Sequence, residues 1–254
     1  MLAWTFRLDR PYITYDSVAI PTRMICFAAK WLDEDAVIFR SEYHHGTDVM
    51  LRKLAELLNE ADIVLHFNGD RFDIPHIRRE FEQHGIDMFS PIVCVDIYKQ
   101  LRNSMYFPNN KLDTIIKQLG IGKKSEHEGI GLWIKCITDP PADDPNRQRR
   151  AWALMRRYCK NDVVKEEELY LDTREWFPKH PNLSLWEDDP AEDRCSVCNS
   201  PDYLKPDGYA YTNVGKYPKW RCMAPKGGDG SGVCGKYGRS KKAVALIDVR
   251  GVAS

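Results

Sequence analysis

A short apolar run, a turn and a helical pattern follow one another between residues 63 and 81, and this order is typical of an α/β fold. Residues 63–65 predict a buried strand, and the spacing of apolar residues from 74 to 81 predicts a helix. Ligands of α/β folds collect where such strands end. Asn68 and Asp73 lie at this point and are therefore candidate site residues. The alternative is that Asp73 only caps the helix.

The same alternation extends over the first 178 residues and predicts a mixed α/β sheet with flanking helices. The first three strands of this region are typical of an antiparallel meander. Strands are predicted at 2–8, 24–31, 36–39, 63–65 and 92–97. Helices are predicted at 50–59, from about 73, at 112–119 and at 146–176, with a loop at 121–136.

The last of these helices carries a phenol and a carboxylate on one face. Tyr158 and Asp162 are four residues apart, and this spacing places both side chains on the same side of a helix, about one turn from each other. The alternative is a solvated helix face with a tyrosine half in the core.

Together, the segments 68–73 and 158–162 resemble the second and third motifs of the DEDD-type 3′–5′ exonucleases, in the tyrosine-bearing DEDDy branch. The resemblance covers residues 2–178 and implies a ribonuclease H-like fold. It is closest to the stand-alone proteins of bacteria and bacteriophages that are related to polymerase proofreading domains. It implies hydrolysis of phosphodiester bonds at nucleic-acid 3′ ends, with DNA favoured and RNA as the alternative.

The resemblance also implies roles for individual residues. Two Mg²⁺ or Mn²⁺ ions would be held by clustered carboxylates, with Asp73 and Asp162 as ligands. Tyr158 would orient the attacking water, and Asn68 would position the site or the terminal nucleotide.

Further positions are auxiliary in the family pattern. Asp96 would be an auxiliary polar residue, and its alternative is a capped strand end. Lys111, within the stretch Asn110-Lys111-Leu112-Asp113, could contact phosphates, as could Lys123, Lys124 and His127, with a solvated loop as the alternative.

The first motif of the family, Asp-x-Glu on the first central strand, is absent from the sequence. Asp9 and Asp16 follow the first predicted strand, and neither is part of an Asp-x-Glu. We expect that the true start lies upstream, with a degenerate or split product as the competing explanation. If the motif is truly missing, the chain is instead a non-catalytic module of the same fold that binds nucleic acid or a replication protein.

A second region begins after residue 178, where the composition changes. Residues 179–193 are predicted to be a linker, and residues 194–250 a small zinc-ribbon-like domain. Cys195 and Cys198 form a Cys-x-x-Cys knuckle, and Cys222 and Cys234 would complete a structural Zn²⁺ site. The alternatives are unrelated free cysteines or a redox Cys-x-x-Cys. A basic surface with interleaved aromatics suits contacts to nucleic acid or to protein; its residues are Lys216, Lys219, Arg221, Lys236, Arg239, Lys241, Lys242, Tyr211, Tyr217, Trp220 and Tyr237.

Composition and sequence pattern restrict the class of protein and its cellular compartment. Lys+Arg and Asp+Glu both number 37, and this neutrality argues against a generic nucleic-acid coat. No apolar run reaches the length of a membrane span, and the N-terminus lacks a signal-peptide pattern. The cysteines suit a reducing compartment. We therefore expect a cytoplasmic protein whose partners are single-stranded DNA 3′ ends and replication or repair proteins.

Overall fold

The computed structural model of the 254-residue chain describes residues 2–3, 18–20, 22–32, 34–87, 89, 91–122, 129–186, 193–212, 214–226 and 232–246. Its strands are β1 (Leu2–Ala3), β2 (Val18–Ile20), β3 (Cys26–Lys30), β4 (Val37–Ser41), β5 (Ile63–His66), β6 (Val93–Asp96), β7 (Leu204–Tyr211), β8 (Gly215–Cys222), β9 (Tyr237–Arg239) and β10 (Ala245–Leu246). Its helices are α1 (Glu42–His45), α2 (Thr47–Glu60), α3 (Asp73–Gln83), α4 (Ile97–Ser104), α5 (Leu112–Gln118), α6 (Ile130–Ile137) and α7 (Arg147–Thr173), and 3₁₀ turns follow at Arg174–Trp176 and Leu183–Trp186.

This mixture of helices and sheets confirms the predicted α/β class. β1 pairs with β2, β3 pairs with β4 in antiparallel register, and β5 pairs with β6. The antiparallel β3–β4 pair confirms that part of the predicted meander. The predicted strand at 2–8 is seen at Leu2–Ala3, and residues 4–8 lie outside the described part of the chain. No described helix combines the length and the apolar character that a membrane crossing requires.

The chain divides into two compact units. The first contains residues 1–64, 68–94 and 124–163, and the second contains residues 65–67, 95–123 and 164–254.

The first unit holds two hydrophobic clusters. In one, the apolar stripe of α2 packs with α3, and Met50, Leu51 and Phe81 are almost completely buried. In the other, α6 packs with the first half of α7, and Trp152 donates a hydrogen bond from Nε1 to the carbonyl oxygen of Cys136 at 3.0 Å. Burial of these side chains is the main stabilising contribution to this unit.

The second unit contains the last turns of α7 and the cysteine-rich strands. Gln100 of α4 and Lys179 exchange two hydrogen bonds, of 3.2 and 3.1 Å. Tyr170 and Phe177 are buried beside His180. Strands β7, β8, β9 and β10 form one antiparallel sheet, in which β8 pairs with the other three.

One secondary-structure prediction is wrong. The segment predicted as a loop, 121–136, contains most of helix α6. Leu132 and Cys136 are four residues apart and both are buried against Trp152 and its neighbours. The helix therefore buries a narrow apolar face, and Gly129 at φ 62° precedes its first turn. Packing of α6 against its neighbours, rather than a local sequence signal, therefore stabilises this helix.

Candidate active site and cysteine centre

The turn before α3 begins at a residue with an uncommon backbone conformation. Asn68 adopts a left-handed conformation, with φ 63°, which asparagine tolerates better than most residues. The carbonyl oxygen of Gly69 accepts hydrogen bonds from the backbone of Phe72 at 3.2 Å and of Ile74 at 2.9 Å. The chain therefore turns sharply after β5 and enters the helix at Asp73.

Asp73 is the first residue of α3 and its side chain is exposed. The N-cap is Phe72, which makes no side-chain capping bond, so Asp73 does not occupy the capping position. A carboxylate in the first turn is stabilised by the helix dipole. The helix is anchored by buried Glu80, which accepts hydrogen bonds from the backbone of Met24 at 3.1 Å and from Arg79 at 2.6 Å.

Tyr158 and Asp162 lie on α7, half-buried and one turn apart, as predicted. The ring of Tyr158 meets the ring of Trp133 edge-on, with centroids 5.9 Å apart. The neighbouring Cys159 lies 3.9 Å from Cys26, sulfur to sulfur. This contact and burial raise the pKa of Cys26 far above its usual value, which keeps this thiol protonated. Tyr158 packs against the hydrophobic cluster that contains Trp152 and Met155.

Four of the predicted site residues belong to the first compact unit: Asn68, Asp73, Tyr158 and Asp162. Asp96 and Lys111 belong to the second unit. The carboxylate oxygens of Asp73 and Asp162 are the donor type that Mg²⁺ and Mn²⁺ prefer. They are two of the four acids in the family pattern, because the sequence contains no Asp-x-Glu.

The auxiliary positions have local structural roles. Asp96 is buried at the end of β6 and caps α4 by accepting a hydrogen bond from the backbone of Lys99 at 3.3 Å. Lys111 precedes α5, and its side chain is exposed while its backbone donates to Asn109 at 3.0 Å. The predicted phosphate contacts Lys123, Lys124 and His127 lie outside the described residues.

A second centre is formed by the four C-terminal cysteines. Their sulfur atoms all lie within 4.8 Å of one another. Cys195 is 3.8 Å from Cys234, and Cys198 is 3.5 Å from Cys222. All four are free thiols rather than disulfides. A tetrahedral Zn²⁺ with Zn–S bonds of about 2.3 Å separates its sulfur ligands by roughly 3.8 Å, so this arrangement fits such an ion.

The backbone explains how distant cysteines meet. Asn199 at φ 60° closes the first knuckle, where its backbone donates to the carbonyl oxygen of Cys195 at 2.8 Å. The second pair is separated by eleven residues, and an antiparallel bridge between Pro225 and Val233 closes this insertion. The insertion therefore returns the chain to Cys222, which the spacing of the cysteines alone does not reveal.

Burial and contact between sulfur atoms disfavour the thiolate form at this centre when no metal is bound. Burial raises the pKa of Cys222, and the sulfur contact with Cys195 raises the pKa of Cys234. Thiols in such surroundings remain protonated unless a metal replaces the protons. Four protein ligands leave no open position, so an ion bound here would be structural.

Two side chains expected on the basic aromatic surface lie elsewhere. Trp220 is buried at 8% exposure and packs with the cysteines. Lys236 is half-buried, and its ammonium group donates to the carbonyl oxygens of Glu175 and Phe177 at 3.2 and 3.4 Å. Alternation along the strands places Trp220 on the inner face, which the residue types alone do not specify. Lys226, which composition did not single out, forms an ion pair with the carboxylate of Glu175 at 2.7 Å.

Residues 21–173 match the family model of the RNase_H superfamily. The match covers more than half of the chain, and the chain therefore belongs to this superfamily. Within a shorter stretch it is 35% identical over 72 residues to DNA polymerase 1 of Aeropyrum pernix, covering 28% of this chain and 8% of the polymerase. It is 28% identical over 89 residues to a DNA polymerase of Methanocaldococcus jannaschii, covering 32% of this chain and 5% of the polymerase.

The chain thus spans less than a tenth of the length of these curated relatives.

Proposed function

We propose that this protein is a metal-dependent 3′–5′ exonuclease of the DEDDy type that removes nucleotides from single-stranded DNA 3′ ends. The observation that carries the proposal is the co-occurrence of the two motifs, at 68–73 and 158–162, within the residues matched to the superfamily. All four motif residues also belong to one compact unit. The similarity to two DNA polymerases favours DNA as the substrate.

In this proposal Asp73 and Asp162 hold divalent metal, which supplies charge stabilisation and an activated water. The two-metal arrangement of the family needs two further acids, and this sequence has no Asp-x-Glu to supply them. Tyr158 orients the attacking water through its hydroxyl group, and its apolar neighbours fix the ring. Asn68 positions the terminal nucleotide, while Asp96 and Lys111 are auxiliary.

The C-terminal part has a separate role. We propose that residues 1–178 form the nuclease domain, residues 179–193 a linker and residues 194–250 a zinc-ribbon-like domain. One structural Zn²⁺ is held by Cys195, Cys198, Cys222 and Cys234. The close, buried cluster of their sulfur atoms supports this assignment.

A second candidate function is a non-catalytic module that binds nucleic acid or a replication protein. The absence of Asp-x-Glu favours it, since two carboxylates are too few for a two-metal site. The two candidates predict different fates for a bound oligonucleotide. An exonuclease shortens it in Mg²⁺ or Mn²⁺, whereas the module binds it and leaves it intact.

The experiment compares the wild-type chain with Asp73→Asn and Asp162→Asn on a labelled single-stranded oligonucleotide. Both substitutions are expected to abolish metal-dependent cleavage. Asp48→Asn is a matched control, because Asp48 is also an exposed acid in the first turn of a helix. Unchanged cleavage in both motif variants would reject this site, and intact DNA that remains bound to the wild-type chain would favour the second candidate.

A further inference from the structure

The outer face of the β7–β8–β9 sheet collects basic and aromatic side chains. Opposite residues of an antiparallel pair share a face, and neighbours along a strand alternate. Lys205 lies opposite Arg221, and Arg221 lies opposite Tyr237; Lys219 lies opposite Arg239. Together with Tyr217, which has the same parity on β8, these residues define a surface that we call the basic face: Lys205, Tyr217, Lys219, Arg221, Tyr237 and Arg239.

The opposite face of the same sheet packs against the C-terminal cysteines. We call strands β7, β8, β9 and β10 together with the four cysteines the cysteine module. Trp220 and Cys222 point to that side and are buried. Gly238 lies opposite Trp220, and a Cβ atom at this glycine would lie 2.0 Å from the indole ring. The glycine therefore lets the indole pack beneath β9. The basic face therefore lies on a sheet whose other side is packed around the four thiols. These thiols suit a structural metal.

The basic face places like charges directly across strands. Lys205 faces Arg221, and Lys219 faces Arg239. Such pairs destabilise a sheet rather than hold it together. One acid, Asp207, lies 3.1 Å from Lys219 and offsets part of this repulsion. Sequence choices that weaken a fold locally tend to mark functional surfaces, and a bound polyanion would relieve this repulsion.

The tyrosines of the basic face are held beside the cations. The guanidinium of Arg239 lies 3.9 Å from the centre of the Tyr217 ring. Lys219 and Arg221 lie 5.2 and 5.5 Å from the centre of the Tyr237 ring, which is 52% exposed. An exposed ring flanked by two cations offers stacking to a base and charge to the adjoining phosphates.

The C-terminal region that contains the basic face carries an excess of positive charge. Residues 194–254 contain eleven Lys+Arg and four Asp+Glu, although the whole chain has equal numbers of each. An acidic protein would be attracted to this charge but would not require exposed rings between the cations. Stacking requires bases that are not already stacked in a duplex. Charge and rings together therefore favour single-stranded nucleic acid over an acidic protein.

We propose that the basic face binds single-stranded nucleic acid independently of the proposed nuclease site. Lys205, Arg221 and Arg239 contact phosphates, and Tyr237 stacks on a base. This assignment goes beyond the exonuclease proposal, since it requires neither cleavage nor the acids of α3 and α7.

The test measures binding of a fluorescent oligothymidylate to the full chain by anisotropy, without added Mg²⁺ or Mn²⁺. Arg221→Ala/Arg239→Ala removes two charges from the basic face. Arg149→Ala/Arg150→Ala is the matched control, because it removes two exposed arginines from α7, neither of which belongs to the basic face. We expect the first pair to weaken binding at least about tenfold and to reduce the salt slope by about 1.4, and the control to weaken it less than about threefold.

Tyr237→Ala and Tyr237→Phe separate stacking from charge. We expect Tyr237→Ala to weaken binding at least about fivefold with an unchanged salt slope, and Tyr237→Phe to bind as the wild type does. Zinc content and circular dichroism establish that each variant is folded. Equal losses in the two double variants, or an unchanged affinity in Tyr237→Ala, would overturn the proposal.

The class of partner is tested by competition. Polyglutamate of matched charge should compete poorly with the oligothymidylate. If it competes equally well, the surface is a general contact for acidic proteins and the proposal fails. The assay contains no cleavage step, so it tests the basic face even if the protein cuts no DNA. If the basic face proves not to bind the oligothymidylate, the exonuclease proposal is unaffected.

Discussion

The ammonium group of Lys226 lies 2.7 Å from a carboxylate oxygen of Glu175, 51 positions earlier in the chain. It also donates to the carbonyl oxygen of Asp172 at 2.6 Å. Lys236 adds bonds to the carbonyl oxygens of Glu175 and Phe177. Cations at this position satisfy carbonyl groups at the end of a helix and complement its dipole. Two lysines of the cysteine module thus hold it against the end of α7.

We predict that Lys226→Met lowers the free energy of unfolding by about 1–3 kcal/mol, because it leaves a mostly buried carboxylate uncompensated. Methionine keeps the apolar stem of the side chain. Urea unfolding followed by tryptophan fluorescence measures the change. Lys53→Met is the control: it removes the exposed ion pair with Glu56 and should cost no more than about 0.5 kcal/mol. Equal effects of the two substitutions would contradict the docking role.

The cysteine centre predicts one zinc ion per chain in protein purified without chelator. Cys222→Ser should lose the metal, because three thiolates no longer close the tetrahedron. Cys136→Ser is the control, since Cys136 is a buried thiol outside the cluster and burial raises its pKa to about 12. Metal analysis by mass spectrometry provides the measurement. Wild-type protein without zinc would refute the assignment, and so would zinc retained in full by Cys222→Ser.

The environment of His180 predicts a loss of stability in mild acid. Its Nδ1 is 2.6 Å from the carbonyl oxygen of Pro181 and must carry the proton, so Nε2 accepts from the hydroxyl group of Tyr170 at 2.8 Å. Burial, with smaller contributions from Arg174 and Lys236, lowers the pKa of this imidazole to about 4, although the bond to Pro181 opposes the shift.

Because this pKa is lowered on folding, the neutral imidazole stabilises the protein fully above about pH 6.5, and this contribution is lost as the pH falls towards 4. The whole effect is no more than about 3 kcal/mol. We predict that His180→Gln flattens the stability profile from about pH 7 to about pH 5. Urea unfolding at several pH values, with zinc content measured in parallel, checks this. If the stability of His180→Gln falls with pH as steeply as that of the wild type, the role assigned to His180 is wrong.

Local periodicity predicted most of the secondary structure. The apolar row of α7, with Trp152 and Met155 buried, gave a long helix whose observed end agrees with the prediction to within a few residues. The strands β5 and β6 were predicted from short β-branched runs. Helices α1, α4 and α6 were not predicted. The apolar face of α6 consists of few residues and depends on packing against α7.

Contacts between residues that are far apart in the sequence were harder to predict. The four cysteines were predicted as a group, but the spacing of Cys222 and Cys234 does not reveal the bridge between Pro225 and Val233 that brings Cys234 back to Cys222. The docking of Lys226 and Lys236 depends on where α7 ends in space, which residue types do not encode. The roles of Asp73, Tyr158 and Asp162 in catalysis, and the domain boundaries, stay predictions.

The most direct test of the exonuclease proposal follows the polarity of digestion. The wild-type chain is incubated with single-stranded DNA in Mg²⁺ or Mn²⁺, in parallel with the label at the 5′ end and at the 3′ end. We predict a ladder of progressively shorter products from the 5′-labelled strand and immediate release of a labelled mononucleotide from the 3′-labelled strand. Both should disappear in Asp162→Asn. Intact DNA in both metals, or mononucleotide released from the 5′ label, would contradict a 3′–5′ exonuclease.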